Sequence, residues 1–157
     1  MVKTLASLRK TSAAVLRAFD WDARTLARSY GSGKWTGREV LGHLTDCELV
    51  FLMRLKFLLT CDTPTVVPMD QDAWAKRFAY RKQDPKLMKE TFRALRGSFI
   101  ALARSATSQD LARRGIHPEY ADYTVKWLID HAAEHTEHHL EQLAAIKAGR
   151  TWEPSED

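Results

Sequence analysis

Cysteine is scarce in this chain of 157 residues: only Cys47 and Cys61 occur, well separated in sequence. A disulfide framework is thereby excluded as the main source of stability, and a chain of this length buries about two-thirds of its unfolded surface without one. Long apolar runs are missing as well. Stretches such as Leu55 to Leu59 are interrupted by Lys and Arg and fall far short of the roughly 20 residues of a membrane span. No charged-then-apolar leader opens the chain, so a cytoplasmic protein with two free, reduced thiols is expected. There are no low-complexity tracts and no repeat of solenoid period. Lys and Arg exceed Asp and Glu by 24 to 20, for a formal net charge of +4. These cations are scattered as short pairs, Arg9-Lys10, Arg81-Lys82 and Arg113-Arg114, among acidic residues. That is not the basic face used to bind phosphate backbones, so nucleic acid is not an expected partner. With 45% apolar and 28% charged residues, the composition is that of one folded domain, expected to span residues 1–157.

What the sequence does contain is helical periodicity. Leu5, Leu8, Val15, Leu16, Phe19, Leu26 and Ala27 recur at helical spacing, predicting a first helix from about Thr4 to Ser29, closed by Gly31-Ser32-Gly33. Thr36 and Glu39 form a capping-box pattern, opening a second helix that runs to about Thr60. Pro64 and Pro68 then mark a loop, followed by a short helix over Asp70 to Phe78 that carries Trp74. Asp84-Pro85 reads as an N-cap with Pro in the first turn, starting a third long helix whose core face is Leu87, Met88, Phe92, Leu95, Phe99 and Leu102. After a polar loop containing His117, the last helix runs from Tyr123 or Thr124 to Ala148, with Gly149 just beyond it. No strand pattern stands out; Thr65-Val66-Val67 is short and lies between prolines. Four helices of similar length predict an all-α, four-helix bundle, and the long second and third connections leave room for crossovers.

The histidines carry the chemistry. Of six, His43 lies in the second helix, and His131, His135, His138 and His139 lie in the fourth. At about 100° per residue, His135 and His139 share the inward stripe with Leu128, Ala132, Gln142 and Ile146, while His131 and His138 fall toward its edges. Two imidazoles at i and i+4 can share a metal ion, and burying both without a common partner is costly. His43, on the core face of the second helix, is the natural third ligand. Three neutral imidazoles with open positions suit zinc; nickel, iron and manganese also fit the donor type. His138 reads as a surface residue, and His117, in a loop, reads first as surface, with a place at a pocket mouth as the alternative.

These residues resemble the DinB-like superfamily of bacterial four-helix metal-binding proteins over nearly the whole chain. Lys34-Trp35-Thr36 followed by Glu39-Val40-Leu41-Gly42-His43-Leu44 resembles the family's first motif. His135-Thr136-Glu137-His138-His139-Leu140-Glu141-Gln142-Leu143 resembles its second, in which the positions of His135 and His139 are ligands and that of His138 is not. The resemblance implies an up-down-down-up helix order, a divalent metal (zinc or nickel first), and in many members a homodimer. It also implies either a metal-dependent hydrolase or a thiol-S-transferase that uses a low-molecular-weight thiol, acting on a small-molecule substrate. A non-catalytic metal-binding stress or interaction module is the alternative.

Around these ligands, four further residues are candidates for the pocket or for supporting the ligands. Asp46 reads as a solvated carboxylate, or as a group orienting an imidazole. Cys47, one turn from His43, reads as a small buried hydrophobe before a soft fourth ligand. Arg54 shares the inward stripe and is expected to snorkel to the bundle end, with binding of an anionic substrate as the alternative. His131 flanks the pair. Trp35, Trp74 and Trp127 are pocket candidates that read first as packing residues. Glu134 and Glu137 project away from the inward stripe, so no general base is assigned.

Overall fold

The computed structural model of the protein describes residues 1–154. Seven α-helices occur among them: α1 (Val2–Ala18), α2 (Ala23–Leu26), α3 (Gly37–Thr60), α4 (Gln71–Arg77), α5 (Pro85–Ser105), α6 (Ser108–Leu111) and α7 (Val125–Ala148). The four long ones, α1, α3, α5 and α7, form the bundle, with α1 and α3 each packed against both α5 and α7. Their directions follow from residue pairs. Thr4 donates to Asp130 and Ser7 to Glu137, so α1 and α7 run parallel. Glu48 meets Arg96 and Phe51 meets Phe99, so α3 and α5 are parallel too. His43 meets His139 while Phe51 meets His131, which makes α3 and α7 antiparallel. The order is up-down-down-up.

The predicted caps are present. Thr36 and Glu39 exchange the reciprocal bonds of a capping box at the start of α3. Asp84 accepts from the Lys86 N–H, with Pro85 in the first turn of α5. Gly149 closes α7 in the left-handed region at φ 67°. The first helix differs from its prediction. It stops at Ala18, the chain turns, and the Asp22 carboxylate caps a separate short helix through the Thr25 N–H and hydroxyl. The helical period in the sequence continued past this break because Leu26 of α2 packs into the same cluster as Val15 of α1 and Phe19 just beyond its end.

The core divides into two apolar clusters. One gathers Leu8, Phe51, Leu55, Phe99 and Leu128 with their neighbours, the other Val15, Val40, Leu44, Phe92 and Ile146 with theirs. Each large side chain fully buried in them contributes about 1.5–3 kcal/mol. Between the clusters lies a polar layer with a member on every bundle helix: Thr11, Glu48, Arg96 and Thr136, all buried. Arg96 donates from Nε to Glu48 Oε2 at 2.7 Å, from Nη2 to Glu48 Oε1, and from Nη2 to Thr136 Oγ1 at 2.7 Å. Burial pushes the Glu48 carboxyl up and Arg96 opposes that shift.

The two long connections are stitched together where no strands were expected. The N–H of Val66 donates to the Ile116 carbonyl and that of Ile116 to the Pro64 carbonyl, both at 2.9 Å. Gly115 is required there, since a Cβ would lie 2.7 Å from Leu58 Cδ2 and 2.9 Å from the Pro64 oxygen. Arg113 secures the same corner by donating to the Leu58 and Cys61 carbonyls at the end of α3. The stitching folds these connections over the α3–α7 side of the bundle. Among the described residues no helix is long and apolar enough to cross a membrane.

Candidate metal centre

His43 enters from the core stripe of α3, and His135 and His139 from successive turns of α7. Their side chains converge at the level of the polar layer. Nε2 of His135 lies 3.1 Å from Nε2 of His43 and 3.2 Å from Nε2 of His139. His43 and His139 are buried and His135 is half-buried. Aromatic neighbours hold the rings: Trp35 packs on His43 at 4.9 Å between centroids, and Phe51 meets His135 edge-on at 5.5 Å.

The protonation pattern follows from the partners. His139 Nδ1 faces Gln142 Oε1 at 2.7 Å, and the Gln142 amide nitrogen faces His138 Nε2 at 3.3 Å. Nδ1–H of His139 therefore donates to Gln142, which leaves a lone pair on Nε2. Burial drives the His43 imidazole down to about 3, and the charge of His139 adds to the shift. His139 is driven down to about 4, also by burial first, against the Gln142 hydrogen bond. His135 is pushed well below the ordinary histidine range by burial and by its histidine neighbours. All three are neutral near pH 7.

Neutral imidazoles whose Nε2 atoms face one another cannot satisfy themselves. The His135 Nε2 proton, if present there, serves one neighbour and leaves the other lone pair without a donor. A cation at the meeting point satisfies all three nitrogens. The separations agree with this, because ligand nitrogens about 2.0–2.1 Å from a tetrahedral ion lie about 3.3 Å apart. These residues fit a divalent metal.

The other candidate residues settle at varied distances from this point. Cys47 is buried, its Sγ 3.4 Å from His43 Nε2 and 3.9 Å from His135 Nε2. Burial pushes its thiol well above the usual range, so it is neutral. Asp46 is neither free in solvent nor bonded to an imidazole. It accepts from the Tyr80 hydroxyl at 2.5 Å, and Tyr80 lies so close over Gly42 that a Cβ there would be 2.8 Å from the ring. His131 stacks on Trp127 at 4.5 Å and 12°, one turn before His135. His138 stays exposed, edge-on to Trp152. Trp74 packs against Phe78.

Two expectations are corrected. Arg54 does not snorkel to the bundle end: it is 7% exposed, and Nη2 donates to the Val67 carbonyl at 2.5 Å. The connection after α3 doubles back over α3 and covers the position where the side chain would have left the bundle. His117 is not a surface residue either, and its alternative place at a pocket holds, since it lines a cavity beside His43 and His135. At 8% exposed, it lies against Tyr120 and Tyr123, because the stitched loops carry it inward. Sequence reading missed the Glu48–Arg96 pair altogether. A signal existed, since each charge sits inside an apolar stripe: Glu48 between Leu44 and Phe51, Arg96 between Phe92 and Phe99.

Two cavities open on the three histidines and share His135 as a wall. One, of about 410 Å³, is bounded by His43, Phe51, Arg54, Met69, His117 and His131 among others. The other, of about 450 Å³, lies toward Tyr30, Trp35, Asp72, His138 and His139. A group held at the histidines is thus accessible from two sides, both large enough for a small organic molecule.

Comparison with known proteins agrees with this geometry. The family model described as the DinB superfamily matches residues 4–143. A protein of Oceanobacillus iheyensis named "Putative metal-dependent hydrolase OB0782" is 29% identical over 133 residues, covering 85% of this chain and 77% of the relative. YfiT of Bacillus subtilis, which carries the same description, is 29% identical over 124 residues, 78% of this chain and 70% of that protein. The solved structure of YfiT, described as a probable metal-dependent hydrolase with an unusual four-helix bundle topology, superposes with a TM-score of 0.85 at 27% identity. That superposition covers 95% of this chain and 87% of YfiT.

Proposed function

Because the chain belongs to the DinB superfamily, we propose that His43, His135 and His139 bind one divalent metal ion and that the protein is a metal-dependent hydrolase of a small molecule. The observation that carries this reading is the convergence of three neutral Nε2 atoms on one point beside a cavity. Zinc and nickel suit three imidazoles first, with iron and manganese next. An ion held by His43, His135 and His139 would supply Lewis acidity, which would bring the pKa of a water or thiol toward the neutral range.

The chain's own residues do the rest. Gln142 fixes the His139 ring and directs its Nε2 inward. Trp35 and Phe51 hold the His43 and His135 rings in place. A second reading, thiol-S-transfer from a low-molecular-weight thiol, is favoured by the paired cavities, which give a thiol and its acceptor separate approaches to the same histidines.

Elemental analysis of untagged protein, purified without chelating resin, tests the site. About one ion per chain is expected, lost in both His43→Ala and His135→Ala. A wild-type protein that holds no metal and takes up none when offered zinc, nickel, iron or manganese would remove the metal-dependent reading. Screens of ester, amide and thiol-conjugation substrates, with His43→Ala as control, then separate hydrolysis from thiol transfer.

A further inference from the structure

Arg54 is the unexplained group beside the histidines. It and Arg96 are both buried and each has one nitrogen without a hydrogen-bond partner, yet among the described residues Arg54 forms no ion pair, whereas Arg96 has Glu48. Its Nε has no hydrogen-bond partner, and neither does the hydroxyl of Tyr123, which is 1% exposed. Burial raises the Tyr123 phenol, and the Arg54 charge and a loose approach of the guanidinium to the hydroxyl oppose that shift, so the two groups are neighbours without a well-formed hydrogen bond between them. His117 adds a donor: its Nδ1 accepts from the Glu119 N–H at 3.1 Å, which places the proton of the neutral ring on Nε2. Arg54, His117 and His131 all line the cavity of about 410 Å³ that ends at His43 and His135.

A buried guanidinium without a counter-ion is costly, and a cavity at its side is where the missing charge fits. The rest of the wall limits what that charge can be. Val50, Phe51 and Met69 supply apolar surface, and two carboxylates, Asp70 and Glu119, also border the cavity. Asp70 is engaged as the cap of α4 and Glu119 is exposed, so neither neutralises Arg54, but both oppose a dianion. We propose that this cavity binds the carboxylate of a monoanionic small molecule with an apolar body. Arg54 receives the carboxylate, His117 donates to it, and the molecule's reactive portion lies toward His43 and His135. This substrate class rests on the reading of the histidines as the reactive centre.

Hexanoate and its neutral counterpart hexanamide test the idea by ligand-observed NMR on protein as purified. Hexanoate is expected to bind about tenfold more tightly, the effect of one charged hydrogen-bonded contact. Arg54→Gln should abolish the preference while keeping its metal, and Arg54→Lys, which keeps charge without the planar fork, should retain part of it. Cooperative thermal unfolding verifies that each variant is folded. His43→Ala should lose metal yet keep the preference for hexanoate, so failure of the metal site and failure of the anion cavity give different results. Equal binding of the two ligands by wild type, or an unchanged preference in Arg54→Gln, overturns the proposal. Tighter binding of inorganic phosphate than of hexanoate overturns the carboxylate assignment.

Discussion

The polar layer at Arg96 and the cavity at Arg54 place the same side chain in the same bundle with opposite outcomes. Arg96 meets a carboxylate in two contacts and a threonine hydroxyl in a third, and it is 1% exposed. Arg54 has one backbone carbonyl and an open space beside it. In a low-dielectric interior the first arrangement ties α3, α5 and α7 together and fixes their register, since a slip by one turn would separate the charges. The second leaves the charge without a counter-ion and Nε without a hydrogen-bond partner. A bundle can carry one region of uncompensated charge when the neutralised pair beside it fixes the helices, and His43 and His135 border the cavity on the uncompensated side.

Removing one partner of the satisfied pair should have the largest effect. Glu48→Ala leaves Arg96 charged and buried, so urea unfolding should show a loss of about 3–5 kcal/mol. The companion Glu48→Met/Arg96→Leu should recover most of it. If Glu48→Ala is neutral, the two regions are not different in kind.

A smaller effect is expected from acid, and it falls on the histidine side. His43 and His139 have folded values near 3 and 4, below the unfolded value near 6.5. Between these limits the unfolded chain binds protons that the folded chain refuses, so stability is full above about pH 6.5 and is lost as pH falls toward the folded values. In metal-free protein the two rings together should account for about 2 kcal/mol between pH 6.5 and 5.5, measured by urea unfolding. His43→Ala should remove about half of that dependence, whereas Glu48→Met/Arg96→Leu should leave it in place.

The smallest change is expected at Arg54. Since this guanidinium forms no ion pair among the described residues, Arg54→Met should not lower stability and should raise it by about 1 kcal/mol as the uncompensated charge is removed. A loss as large as that of Glu48→Ala would show that Arg54 belongs to the framework of the bundle.

Much of this was legible in the sequence. The Thr36–Glu39 box, Asp84-Pro85 and Gly149 mark helix ends through contacts within a few residues, and they stand where expected. The first helix was overextended because periodicity reports which residues reach the core, not whether the backbone between them is continuous. Leu26 reaches it from a separate helix. His135 and His139 were recognisable as a pair because i and i+4 geometry is local. Arg54 was placed on the correct stripe but sent to the wrong environment, since a side chain's route to solvent depends on which loop covers it. His117 was misplaced for the same reason.

The sequence by itself determined the helices, the face each presents and the pair of histidines on one face, because these depend on backbone geometry over one or two turns. Tertiary structure decided which charges meet. His43 joins the pair only because α3 and α7 run antiparallel at that height, and Glu48 reaches Arg96 only because α3 and α5 run parallel. Arg54 remains without a counter-ion because the stitched loops close over it. Those outcomes depend on residues 13 positions apart for Arg54 and Val67, 48 for Glu48 and Arg96 and 92 for His43 and His135, brought together by burial of the two apolar clusters, for which no local pattern codes.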